Sequence, residues 1–150
     1  MTIRLVFHIL AICGAATFAG AMLNIGLSFG AYWKRLPPAE FLDWFGANGW
    51  LIGRTIPLFV VPTFIGLAGA LWLDWNAPVA RGLWLASLAA MIGIGVITFA
   101  WHIPTNNAFA AKSIALADIR ATLDLWLQLH AVRILLGLAS AVLGVVAISR

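Results

Sequence analysis

An all-α integral membrane bundle, with four transmembrane helices and both termini on the same side, is the fold this sequence predicts. Three observations lead there. Of its 150 residues, 63% are hydrophobic and 9% charged, where soluble domains carry about 25% charged residues; mean hydropathy is +1.02. The apolar residues form four continuous runs and do not alternate, which argues against a β-barrel. The tryptophans fall into two groups, Trp33, Trp44, Trp50, Trp101 and Trp126 near the first and third connections and Trp72, Trp75 and Trp84 near the second, as two interfacial belts require. Residues 1–150 are accordingly read as one domain.

Helix one is expected over Leu5 to Phe29. Arg4 before an apolar run and Ala19-Gly20-Ala21 after it resemble a leader with a cleavage site, but the run is read as a spanning helix. Ala16 and Gly20, and again Gly26 and Gly30, are spaced to let another backbone approach. Lys34-Arg35-Leu36-Pro37-Pro38 stops the helix, because proline lacks an N–H and restricts the residue before it. Ala39 to Phe45 mixes Phe41, Leu42, Trp44 and Phe45 with Glu40 and Asp43, the pattern of a short interfacial helix in loop one. Helix two is expected over Leu51 to Leu73, with Pro57 tolerated in its first turns and Pro62 kinking it. After a tight loop at Asp74 to Pro78, helix three is expected over Arg81 to Trp101, with Gly93 and Gly95 offering close approach. It should end at His102-Ile103-Pro104-Thr105-Asn106-Asn107, and Ala108 to Thr122 should form a helical lead-in at the surface.

Helix four, Leu123 to Ile148, breaks the apolar rule. It carries His130 and Arg133, and at about 1.5 Å per residue Arg133 lies roughly 9 Å inward of Leu127. A charge there costs about 2.5 kcal/mol or more unless a partner or a wet cavity receives it. At 100° per residue, Trp126, His130, Arg133, Gly137, Ala141 and Gly144 share one stripe, which should face other helices.

Topology then makes a functional statement. The ends of helices one and three and the starts of helices two and four meet at one face, so Asn24, Tyr32, Arg54, His102, Asn106, Asn107, His130 and Arg133 can converge there. The other end offers His8, Asp74 and Arg81. A cavity near the membrane surface, open to hydrophobic small molecules from the lipid, fits this asymmetry. Arg133 either snorkels or pairs with Asp118 or Asp124, or it binds an anionic or enolic oxygen. His130 and His102 are candidate bases or structural imidazoles; Asn106 and Asn107 are candidate ligands or turn caps. His8 reads as structural. Cys13 reads as a small buried apolar residue, and a lone cysteine allows no internal disulfide.

The net charge of +4 does not indicate nucleic acid, since Lys34-Arg35 is the only adjacent basic pair. No metal site is predicted, because no cysteine pair or carboxylate cluster joins the histidines. No cofactor is predicted either; haem held between His102 and His130 is the alternative. Lys34, Arg35, Arg54, Lys112 and Arg120 against Arg4, Arg81 and Arg150 place the loop-one and loop-three side in the cytoplasm, of a bacterial inner membrane.

Leu36-Pro37-Pro38-Ala39-Glu40 after helix one, Pro104-Thr105-Asn106-Asn107 after helix three, and Trp126 then Arg133 entering helix four resemble the anthrone oxygenase family of small four-helix membrane proteins, a group largely of unknown function. The resemblance implies oxidation of a polycyclic anthrone by dioxygen without a cofactor. It casts His130 or His102 as base and Arg133 as the oxyanion stabiliser. Asn106 and Asn107 would hold substrate carbonyls, and Trp101 and Trp126 would stack on the rings; Asn24 and Arg54, which topology brings to the same end, are further substrate-binding candidates. The non-enzymatic alternatives are an accessory subunit packed against a larger membrane complex or a quinone- or lipid-binding protein; a homo-oligomer or a larger membrane complex is the candidate assembly.

Overall fold

The computed structural model describes residues 2–150, and all the regular structure among them is helical. Four helices are long and apolar enough to cross a membrane: α1 (Ile3–Trp33), α3 (Trp50–Leu73), α4 (Pro78–Ala110) and α5 (Leu116–Ile148). A fifth, α2 (Pro38–Asn48), lies in the first connection. The chain is thus a multi-pass membrane protein, and its even number of crossings returns both termini to one side.

Each helix starts and stops for a local reason. Thr2 accepts the Leu5 N–H at the head of α1, Pro38 and Pro78 occupy first-turn positions where no N–H is needed, and Lys112, at φ 54°, turns the chain after α4. Proline also breaks α3 near its start, ahead of Pro62. The helical backbone continues past Pro62, whose missing N–H leaves the Leu58 carbonyl without its helical donor, and the interruption falls at Thr55. Pro57 accounts for it, because its ring opposes the carbonyl of Gly53, four residues back.

Helix three does not end at His102. α4 runs on to Ala110 because Thr98–His102 widens into a π turn, with the Ile103 N–H bonded to the Thr98 carbonyl. The wider turn accommodates the Pro104 ring against the preceding backbone, which a plain α-helix would not. The expected lead-in over Ala108 to Thr122 is therefore replaced by the end of α4, a short irregular link, and a 3₁₀ turn at Leu116–Asp118 that opens α5. α1 holds a second π turn at Ile25–Phe29.

α1 packs closely on α3 and α5, and α5 on α4, while α3 and α4 touch only sparsely. The ring of helices is closed on three seams and loose on the fourth. The buried positions of α5 include Trp126, His130, Arg133, Gly137, Ser140, Ala141 and Gly144, so the predicted stripe faces inward. Glycine matters most where α3 meets α1. A Cβ on Gly66 would stand 2.2 Å from the backbone nitrogen of Ala11, and one on Gly69 2.2 Å from the Phe7 ring. Ala16 and Gly20 do not serve this purpose: both are exposed, and nothing lies within 4 Å of a Cβ on Gly20 or Gly95. Cys13 is likewise exposed, not buried.

The two ends are built differently. At the loop-two end, Asp74 gathers Arg4 Nε at 3.3 Å, His8 Nε2 at 2.8 Å and Trp84 Nε1 at 2.9 Å. His8 stacks on Trp84, and no buried side-chain polar atom at this end lacks a partner among the described residues. At the opposite end α2 turns Phe41, Leu42 and Phe45 inward against Trp33 and Phe109, forming an aromatic cap over the helix ends. Lys34–Asp124 and Lys112–Asp43 pairs and the hold of Arg120 on the Lys34 and Leu36 carbonyls tie down its edges. Trp33, Trp84 and Trp126 are consequently core residues and not belt residues; a ring that can reach a polar partner or another ring is better buried than left at the interface. Trp50, Trp72 and Trp75 are exposed.

Candidate functional site

Beneath the aromatic cap, α5 brings three polar residues into the bundle one turn apart. Trp126 Nε1 donates to Asn106 Oδ1 at 2.8 Å, and its ring stacks on His130, 4.8 Å between centroids and 12° between planes. Arg133 is 4% exposed and His130 1% exposed.

The hydrogen bonds fix the state of His130. Its Nε2 lies 2.7 Å from the Met22 carbonyl, which can only accept, so Nε2 carries the proton. Its Nδ1 lies 2.6 Å from Arg133, which can only donate, so Nδ1 offers a lone pair. His130 is therefore a neutral imidazole with both nitrogens engaged, bridging the α1 backbone to the guanidinium. Arg133 also donates to Thr98 Oγ1 at 3.1 Å and lies over the Trp126 ring, 5.8 Å from its centroid. No carboxylate pairs with it: Asp124 pairs with Lys34, and Asp118 makes no ion pair among the described residues. The guanidinium neither snorkels nor neutralises, and its Nε has no partner.

His102 is the complement of His130. Its Nδ1 lies 3.4 Å from the Ile97 carbonyl, leaving Nε2 buried and without a partner. The ring meets Trp126 edge-on at 4.7 Å and stands 6.1 Å from His130. Haem between these two imidazoles does not fit, because His130 has no free nitrogen and Trp126 packs against both rings.

A cleft of about 300 Å³ opens beside this group, lined by His102, Asn106, Trp126, Arg133 and Thr98, with Met22, Ile52 and Pro57 opposite. It lies along the loose seam between α3 and α4. Of the predicted site residues, His102, Asn106, Trp126 and Arg133 border the cleft, and His130 stands behind Arg133. Four do not join them. Asn24 is exposed, bonded to Ser28, and lines a neighbouring hollow beneath Trp44; Arg54 is exposed and covers the Trp50 ring. Asn107 is exposed and, like Trp101, does not border the cleft. One register step on a helix turns a side chain by about 100°, which separates Asn107 from Asn106 and Trp101 from His102. Thr98 and the Met22 carbonyl escaped the sequence reading. A threonine in an apolar run gives no signal, and a backbone acceptor gives none at all.

Comparison with known proteins agrees with this geometry in one respect. A family described as anthrone oxygenase matches residues 49–143, which span α3, α4 and most of α5. The match includes Pro104, Asn106, Trp126, His130 and Arg133, but not the Leu36-Pro37-Pro38 segment. No curated protein and no solved structure matches the chain. With more than half its length matched, including every side chain that borders the cleft on α4 and α5, the chain belongs to the anthrone oxygenase family.

Proposed function

We propose that the protein oxidises a hydrophobic anthrone-type phenolic substrate with dioxygen, in the cleft between α3 and α4. The observation that carries this reading is Arg133, a buried cation inside an apolar span whose protein partners are all neutral. Such a charge is costly in hydrocarbon, and an aryloxide in the cleft supplies the missing counter-charge.

The residues divide the work by which atoms they have free. His102 Nε2 accepts a proton from the acidic ring methylene of the substrate. The electron pair left behind delocalises onto the ring oxygen, where Arg133 meets the developing charge. Asn106 gives its oxygen to Trp126, so its amide N–H₂ remains to hold a substrate carbonyl. The carbanion passes one electron to dioxygen, the resulting radical and superoxide combine at carbon, and the proton held by His102 returns to the peroxide to give a hydroperoxide. Loss of water converts that carbon to a carbonyl. One substrate and one dioxygen thus give one quinone and one water. His130 is a positioning residue, holding Arg133 against the backbone of α1.

The loose α3–α4 seam suits a substrate arriving from the lipid. The preponderance of Lys and Arg at the capped end supports a cytoplasmic placement of that end, in a bacterial inner membrane.

Purified protein in nanodiscs, given anthrone under ¹⁸O₂, should form quinone faster than buffer and empty nanodiscs, with one labelled oxygen in the product and the other in water. A rate equal to that of empty nanodiscs rejects the reading. Saturable binding of anthrone without that rate would leave a quinone-like ligand-binding protein in its place.

A further inference from the structure

The cleft has a second arm. Adjoining it, towards the middle of the helices, is a cavity of about 160 Å³ lined by Phe18, Val60, Phe64, Met91, Gly95 and Phe99. Ile56, Thr98, Phe99 and Arg133 border both spaces, so the guanidinium stands at their junction. Apart from Arg133 and Thr98 its walls are carbon, and the Thr98 hydroxyl is already committed to the Ile94 carbonyl at 2.7 Å and to Arg133. Water needs two to four polar partners to stay in such a space, and an apolar cavity without them remains dry and takes up apolar gases. The arm is about half the volume of the cleft beside it, too small for the fused rings that the cleft must hold.

We infer that this arm is the dioxygen site, reached from the lipid along the α3–α4 seam. The inference rests on the oxidation proposed above. Dioxygen is more soluble in hydrocarbon than in water, and the arm is bordered by Val60 and Phe64 of α3 and by Gly95 and Phe99 of α4, the two helices that touch only sparsely. Seated there, it lies beside Arg133, next to a ring held in the cleft. The electron that the substrate carbanion gives up reduces dioxygen to superoxide, whose negative charge the guanidinium meets. Combination with the substrate radical at carbon then consumes the superoxide, and no other reductant enters.

Gly95 allows a clean test. It lines the arm, and nothing lies within 4 Å of a Cβ placed on it, so Gly95→Leu fills the space without displacing backbone, and Gly95→Ala serves as the smaller control. In the intact protein, xenon under pressure should occupy the arm in wild type and not in Gly95→Leu. Gly95→Leu should raise KM for dioxygen about tenfold while kcat at saturating dioxygen and KM for anthrone stay within about twofold. An unchanged KM for dioxygen in a variant that has lost xenon overturns the inference, as does absence of xenon from wild type. A rise in KM for anthrone instead overturns it in favour of an arm that holds part of the organic substrate. Failure of the parent reading is distinguishable, since wild type would then show no turnover at all.

Discussion

Replacing Arg133 by Met separates a functional arginine from a structural one, because the structure makes opposite energetic demands in the two cases. A buried arginine held by a carboxylate strands that charge when removed, at about 3–5 kcal/mol. Arg133 has no such partner. Its removal relieves the cost of a cation in an apolar span, about 2.5–3.5 kcal/mol. Against that, His130 Nδ1 loses its donor, at about 1–3 kcal/mol, and the contact with the Trp126 face disappears, at about 1–2 kcal/mol. Thr98 keeps its bond to the Ile94 carbonyl. These terms cancel to within about 2 kcal/mol, and methionine retains most of the packing. Turnover responds differently, since loss of one preorganised oxyanion donor lowers kcat by about 10²–10³. Thermal unfolding followed by tryptophan fluorescence in detergent, with quinone formation measured on the same preparation, tests both halves. A variant destabilised by more than about 3 kcal/mol shows that the charge holds the bundle together. Turnover within about threefold of wild type removes Arg133 from the chemistry. Either result refutes the reasoning.

Other outcomes follow from the same geometry. His102→Ala should lower kcat by about 10²–10⁴, the usual contribution of a general base, and His130→Asn should cost less because neither of its nitrogens is free; the reverse order in steady-state kinetics overturns the division of roles. Asp74→Asn should lower stability by about 3 kcal/mol and leave kcat unchanged, because the Arg4, His8 and Trp84 contacts lie at the far end of the bundle; chemical denaturation and turnover assays check the pair. Gly66→Ala should destabilise by about 1–3 kcal/mol or more, since its Cβ would meet the α1 backbone, whereas Gly20→Ala, with open space around it, should not; parallel melting curves decide this.

Legibility in the sequence followed the kind of signal each feature leaves. Hydropathy and proline punctuation gave the four spans, the loop-one helix and the inward stripe of α5, because membrane insertion and helix termination act through local composition. His102, Asn106, Trp126 and Arg133 were reachable by topology, as polar residues near helix ends that must meet at one face. Arg54 and Asn24 satisfied the same criterion and yet face outwards, because end position fixes height along a helix and not azimuth. Azimuth was legible only on α5, where the stripe spans several turns. On α4 it was not, since the π turn at Thr98–His102 inserts a residue and shifts every side chain beyond it relative to those before. A sequence periodicity of 3.6 cannot register such an insertion, and the extension of α4 past Pro104 went unread for the same reason. Trp33, Trp84 and Trp126 show a further gap. A tryptophan near a helix end reads as an interfacial anchor, and only the presence of Asp74, Asn106 or another ring opposite it makes the core the better place.

The distribution of unmet hydrogen bonds argues for function more directly than the identity of the side chains. Inside a bilayer an unpaired polar atom has no water to fall back on, so a bundle held together by polar contacts should saturate them. This one does so wherever the contact is glue: Asp74 receives three donors, and Ser87 and Ser140 bond to each other and to backbone. Beside the cleft it does not. His102 Nε2 and Arg133 Nε, an acceptor and a charged donor, are both left open within a shared wall and make no bond to one another, and both nitrogens of His130 are spent. Trp33 and Trp101 also carry unpaired indole N–H groups, but each is a single neutral donor away from the cleft. A structural explanation of the cleft would have to account for a free base and a free cation preserved side by side in hydrocarbon. A ligand that is acidic at carbon and anionic at oxygen answers both at once.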